Sequence, residues 1–237
     1  FPTRRSSDLS RPEQYFAEFL SALEKNNPEE RLISLSETSL PNAPAMLTEG
    51  RKIRVPANVW FIGTANHDET TNELADKTYD RAHVMTLPKQ DKRFTIKPFE
   101  PANYSYRSLR KAFGKARAER KEEVVKLLKD LTGDAFTEQL GSQFELGWGN
   151  RFEKQALDFI PVMLACGASS GEAVDHLLAT RIMRPGKVTG RYNVSAETLR
   201  NLKGALEDFW ISADLAGDPR KSMELLEADI RRLDGRS

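Results

Sequence analysis

Residues 55–88 read VPANVWFIGTANHDETTNELADKTYDRAHVMTLP. An apolar run, residues 59–62, enters a Gly63-Thr64-Ala65-Asn66 turn. A polar, helix-prone segment follows and ends at Asp80-Arg81. A second short apolar run, residues 83–87, is closed by Pro88. Strand, polar tip, helix, strand is the order of a βαβ unit in a parallel sheet. The tip lies at the carboxyl end of the first strand, where open α/β sheets place their ligands.

Upstream, Ser10 is a helix cap with Pro12 in the first turn. Tyr15, Phe16, Phe19, Leu20 and Leu23 then form a helical apolar stripe, ended by Asn26-Asn27-Pro28. Residues 31–35 and 52–55 read as short strands around a loop rich in Pro and Asn, residues 40–44. Residues 1–9, FPTRRSSDL, have no apolar period and resemble one frame of a sequencing-adapter oligonucleotide, so no fold is expected of them. Downstream, Pro88, Pro98 and Pro101 mark a linker. Beyond it the periodicity predicts helices over 106–118, 121–131, 150–166, 170–183, 196–210 and from 218 onward. Gly133, Gly167 and Pro185-Gly186 act as stops. No internal repeat and no low-complexity tract is visible.

The length of 237 residues suffices for one large domain or two small ones. With 30% charged and 39% hydrophobic residues, neither a disordered nor a membrane class fits. Arg4, Arg5 and Asp8 fall in residues 1–9, and the remainder carries equal numbers of acidic and basic side chains. Overall charge therefore gives no argument for nucleic acid. The single cysteine, Cys166, excludes an internal disulfide and fits a reducing, cytoplasmic compartment. Its place at the end of the apolar run 159–166 predicts a buried structural thiol. No stretch is long and apolar enough to span a bilayer.

The 55–88 segment resembles the sensor 1 to arginine-finger region of AAA+ ATPases, in the branch shared by MoxR-like, dynein-related and McrB-like restriction NTPases. That pattern is a hydrophobic strand, G-T-x-N, a helix, then an arginine before the last core strand. Residues 10–16, SRPEQYF, resemble the segment directly after the family's Walker B acids. The hairpin at 31–58 is similar to an insertion near the ring's central pore, and the downstream bundle to the lid. The resemblance implies an α/β fold: a truncated AAA+ αβα parallel-sheet core (10–88), a linker (89–101) and an all-helical lid domain (102–237). The chain contains no G-x-x-x-x-G-K-[ST]; residues 167–172, GASSGE, lack the Lys-Ser/Thr pair. The resemblance thus implies a C-terminal piece of an NTPase that starts just after Walker B. Alone, it should be inactive and hold neither nucleotide nor Mg²⁺.

Three residues carry the implied chemistry. Asn66, as sensor 1, is both catalytic and nucleotide-binding. An amide at a strand tip orients water or a phosphate oxygen without adding charge, and positioning supplies most of phosphoryl-transfer catalysis. Its structural alternative is an Asn that caps a turn. Arg81, as the arginine finger, stabilises charge on a neighbouring subunit's nucleotide; the alternative is a surface pair with Asp76 or Asp80. Relatives often carry a run of arginines here, whereas this chain has Asp80-Arg81-Ala82. Arg151 resembles the nucleotide-binding sensor 2, where a guanidinium fork holds two phosphate oxygens. Its alternative is a pair with Glu145 or Glu153.

The histidines, His67, His83 and His176, lack metal-ligand spacing, and no metal site is expected. Arg107, Arg110, Lys111, Lys115, Arg117, Arg120 and Lys121 form the densest basic cluster. Glu119, Glu122 and Glu123 interrupt it, which favours a solvated face over a phosphate-binding one. Trp60, Trp148 and Trp210 are expected in cores or domain contacts. Two function classes follow. One is a subunit of a homo-oligomeric ring, a hexamer, that uses ATP or GTP with Mg²⁺ to remodel a protein or nucleic-acid partner, with a companion nuclease and DNA in the McrB-like variant. The other is a non-enzymatic helical interaction or DNA-binding module.

Overall fold

Phe19 and Leu23 recur at helical spacing, and α1 (Ala17–Leu23) sets them at the margin of a small core made of Ala22, Ile33 and Val55. In this computed structural model the described residues are 17–64, 81–85 and 100–235, with single positions 79, 87, 95 and 98. They belong to two units, Phe1–Pro88 and Lys89–Ser237. In the first, Asn27 caps a single 3-10 turn, Pro28–Glu30, by accepting a hydrogen bond from the Glu29 amide. Two short strands follow, β1 (Leu32–Ser34) and β2 (Lys52–Arg54). They pair antiparallel, with Ile33 opposite Ile53. The loop between them is closed by Ser39 Oγ donating to the Glu49 carbonyl at 2.8 Å and by the Glu49–Lys52 ion pair at 2.8 Å. Gly50 turns there at φ 65°, a backbone region open to glycine at little cost.

The parallel αβα core expected of residues 10–88 is not what the described residues form. Their sheet is the antiparallel β1–β2 pair, and residues 59–62 and 83–85 join no ladder. A strand requires neighbours to take its N–H and C=O groups, and the first unit offers these runs none among its described residues. Trp60 is 62% exposed and Ile62 89%, so Trp60 does not fill a core. Phe61 alone gains an aromatic contact, edge-on to Phe19 at 5.4 Å. A core of three buried side chains has too little surface to cover the rest.

The second unit is helical, as expected. Its elements are α2 (Tyr106–Glu119), α3 (Lys121–Thr132), α4 (Ala135–Phe144), α5 (Asn150–Ala165), α6 (Ser170–Leu177), α7 (Ala196–Ser212) and α8 (Arg220–Asp234). No strand occurs among the described residues after 102; Pro185 and Thr189 make one isolated bridge. One core joins Val124, Leu128 and Leu131 of α3, Phe136, Leu140 and Phe144 of α4, and Leu199, Leu202, Leu206 and Phe209 of α7. The sequence reading did not register α4, although Asp134 caps it and Phe136, Leu140 and Phe144 repeat at four-residue spacing. Helix α6 runs into a π turn, Leu178–Ile182, closed by the Met183 amide on the Leu178 carbonyl at 2.9 Å. Cys166 is exposed rather than buried, because α5 ends at Ala165 and the thiol sits on the cap residue.

Two carboxylates set α8 against its neighbours. Its own N-cap, Pro219, has no side-chain acceptor to offer. Asp175 of α6, 5% exposed, accepts instead from the Lys221 and Ser222 amides, each at 2.9 Å. A buried carboxylate at a helix N-terminus satisfies orphan donors and complements the dipole. Asp229 accepts from the Gly190 amide at 2.9 Å and from Arg232 Nε at 2.6 Å, which ties the 184–191 loop to α8. Lys203 of α7 pairs with Glu227 of α8 at 2.7 Å. That hydrogen bond holds the Glu227 carboxyl below its ordinary pKa and raises that of Lys203.

Gly171 lies where α6 passes the 213–217 turn. A methyl group built there would meet the Ala216 carbonyl oxygen at 2.2 Å. Backbone, not a flexible side chain, blocks it. Gly171→Ala is therefore expected to destabilise the helical unit by about 1–3 kcal/mol, as overpacking does. Urea unfolding followed by circular dichroism reads this directly; an unchanged midpoint and slope would show that the turn yields freely.

Candidate functional site

Tyr79 and Arg81 have helical backbones and Ala82 leaves the helix, so the segment ends where the sequence predicts. Arg81 Nη1 donates to Ser21 Oγ at 2.9 Å, and its Nε lies 3.4 Å from Glu24 Oε2. Residues 21 and 24 stand three apart, which brings both side chains to one flank of α1 and its following turn. The Arg81 side chain is 22% exposed. Its described acidic partner is thus Glu24; Asp76 and Asp80 lie outside the described residues. Asn66 and His67 also lie outside them.

Arg151 occupies the first turn of α5, exposed, in the second unit. The loop that leads to it is anchored by Trp148, whose Nε1 donates to Thr137 Oγ1 at 2.7 Å. Thr137 Oγ1 in turn donates to the Leu131 carbonyl. Phe152 packs on the indole with ring centroids 4.5 Å apart, so Arg151 is held between two fixed neighbours. Gly149 caps the helix without a side-chain hydrogen bond, which leaves an N-terminus lined by backbone donors.

Residues 167–172 and His176 resolve as structure. Residues 167–172 form the start of α6, where Ser169 and Glu172 make a capping box with hydrogen bonds of 3.1 and 2.8 Å. His176 stacks on Phe159 at 5.2 Å, and its Nδ1 is 3.4 Å from Lys221 Nζ. Among the described residues no group of His, Cys, Asp and Glu is placed to hold a metal ion. No helix among the described residues is long and apolar enough to cross a membrane.

Sequence reasoning missed Asp175 and Arg191. Asp175 is the sole acid within the apolar stretch AVDHLL, a pattern that signals a buried acceptor needing donors. Arg191 Nη1 donates to the Phe144 carbonyl at 2.8 Å, and its guanidinium sits 6.0 Å from the Phe144 ring centre. It thereby closes the C-terminus of α4, where a cation is favoured.

The Arg81–Glu24 contact gives a measurable quantity. A double-mutant cycle with Arg81→Ala and Glu24→Ala, read by urea unfolding, is expected to give a coupling of about 0.2–1 kcal/mol. Zero coupling would show that the guanidinium does not stay on α1.

Comparison with known protein families, curated proteins and solved structures gives no match.

Proposed function

We propose that this chain is part of an AAA+-type nucleoside triphosphatase subunit, one that works in a ring and couples ATP or GTP hydrolysis to remodelling of a protein or nucleic-acid partner. One observation carries the reading. An apolar run leads into Gly63-Thr64-Ala65-Asn66, and an arginine follows at the end of a helix, at Arg81. Two features add support. Residues 59–62 are apolar yet exposed, as a core strand is before its neighbours close over it. A helical unit follows, with Arg151 at the start of one of its helices.

The phosphate cradle and the Mg²⁺-holding acid would come from polypeptide outside this sequence. Arg81 would then act in trans, as a cation beside a neighbouring subunit's nucleotide, and its contact with Glu24 and Ser21 would be its resting position. Arg151 would meet the nucleotide from the helical side. The alternative is a non-enzymatic helical interaction or DNA-binding module, which the second unit's own continuous core supports.

The test uses the product of the complete reading frame, assembled as an oligomer. Arg81→Ala is expected to lower turnover by about 10³-fold or more while nucleotide affinity stays nearly unchanged, the behaviour of a group that acts on transition-state charge. Turnover near wild type, or a complete reading frame without a phosphate-binding loop, would overturn the proposal.

A further inference from the structure

In sequence, the basic residues between Arg107 and Lys121 look self-neutralised by Glu119, Glu122 and Glu123. The structure divides them differently. Arg117 is spent on Asp158 of α5 at 2.7 Å, Arg120 on Glu123 at 3.1 Å, and Lys115 on Glu119 at 3.6 Å. All three acids act on the C-terminal half of the run or on the face that packs against α5. Arg107, Arg110 and Lys111 are exposed and have no ion pair among the described residues.

These three stand at i, i+3 and i+4, hence on one flank of α2. The opposite side is already occupied, with Ala116 buried and Leu109 half-buried, and Arg117, two turns on from Arg110, holds the edge of the basic flank to Asp158 of α5. The first turn of α2 carries no acid, so its dipole and its basic side chains add rather than cancel. At about 1.5 Å per residue, Arg107 to Lys111 spans roughly 6 Å. A nucleic-acid strand presents a phosphate about every 3.4 Å along its axis, so about two to three phosphates match that length. Tyr104, 71% exposed, and Tyr106 place aromatic rings at the end of the stripe where bases can stack.

We propose that the exposed flank of α2 formed by Arg107, Arg110 and Lys111 binds the phosphate backbone of a nucleic acid, without reading its sequence. An anionic membrane is the weaker fit, because Ala116 and Leu109 are covered and only Tyr106 and Phe113 of the apolar side of α2 stay partly exposed, too little to enter a lipid surface. The proposal stands independently of the nucleotide-hydrolysis reading, and its assay contains neither a nucleoside triphosphate nor Mg²⁺.

The experiment is fluorescence anisotropy of the full chain with a labelled mixed-sequence 20-nucleotide single strand and the matching duplex, over a salt series. Binding with a slope of about −2 to −3 in log K against log salt is expected, from about three neutralised phosphates. Arg107→Gln/Arg110→Gln/Lys111→Gln should raise Kd at least about tenfold and flatten the slope by about two. Arg107→Lys/Arg110→Lys, which keeps the charge, should retain the slope. Lys126→Gln/Lys129→Gln on α3 should change neither. No binding to either oligonucleotide, an unchanged slope in the triple variant, or an equal loss in the α3 variant would overturn the proposal. So would triple-variant-sensitive binding to phosphatidylserine vesicles in place of the oligonucleotides.

Discussion

The helical unit depends on a carboxylate that one helix lends to another. Helix α8 begins at a proline and brings no cap of its own, so its first donors would be buried without acceptors. Asp175 supplies both acceptor oxygens from α6. Removal of one partner from such a buried set costs the full desolvation of what remains. This contact fixes the angle at which α8 meets α6, and α8 in turn covers α7. Asp229, one face further along α8, then fixes the 184–191 loop, and Arg191 at the end of that loop closes α4. A chain of polar contacts therefore sets the register of a core that is otherwise apolar and non-directional.

The first unit is built on the opposite principle. Its three-residue core and two short strands leave Val59, Trp60, Phe61 and Ile62 in contact with water. Apolar side chains in one run at such exposure are costly to keep and signal a surface made to be covered. Arg81 is fastened to α1 and its following turn by one hydrogen bond and one ion pair, an attachment of modest strength.

The sequence was most legible where periodicity, caps and stops agree. Ser105 caps α2, Ser195 caps α7, and the Asn27-Pro28 stop closes the α1 region, all near the expected boundaries. The β1–β2 hairpin was legible for the same reason. Helix α4 was missed because Gly141 and the polar residues around it mask a stripe only three residues deep. The parallel core was inferred from the 55–88 segment, and a parallel strand is fixed by distant neighbours rather than by its own pattern. Of the candidate site, the helical end at Arg81 was legible and its Glu24 partner was not, because that contact joins residues far apart in sequence. The pairing within the basic run was not legible, because sequence proximity counts every acid equally, whereas Arg117 finds Asp158 on α5 and Arg120 and Lys115 take Glu123 and Glu119.

Amide hydrogen exchange at Lys221 and Ser222 tests the central claim, that Asp175 holds α8 in place. In the wild-type chain both amides should exchange only as slowly as the buried core of α7. In Asp175→Ala they should lose protection by about ten- to hundredfold, matching about 1–3 kcal/mol for a lost buried acceptor, with α4 amides loosening next. If Lys221 and Ser222 keep their wild-type protection in Asp175→Ala, α8 is held by apolar packing alone and the account of the helical unit is wrong.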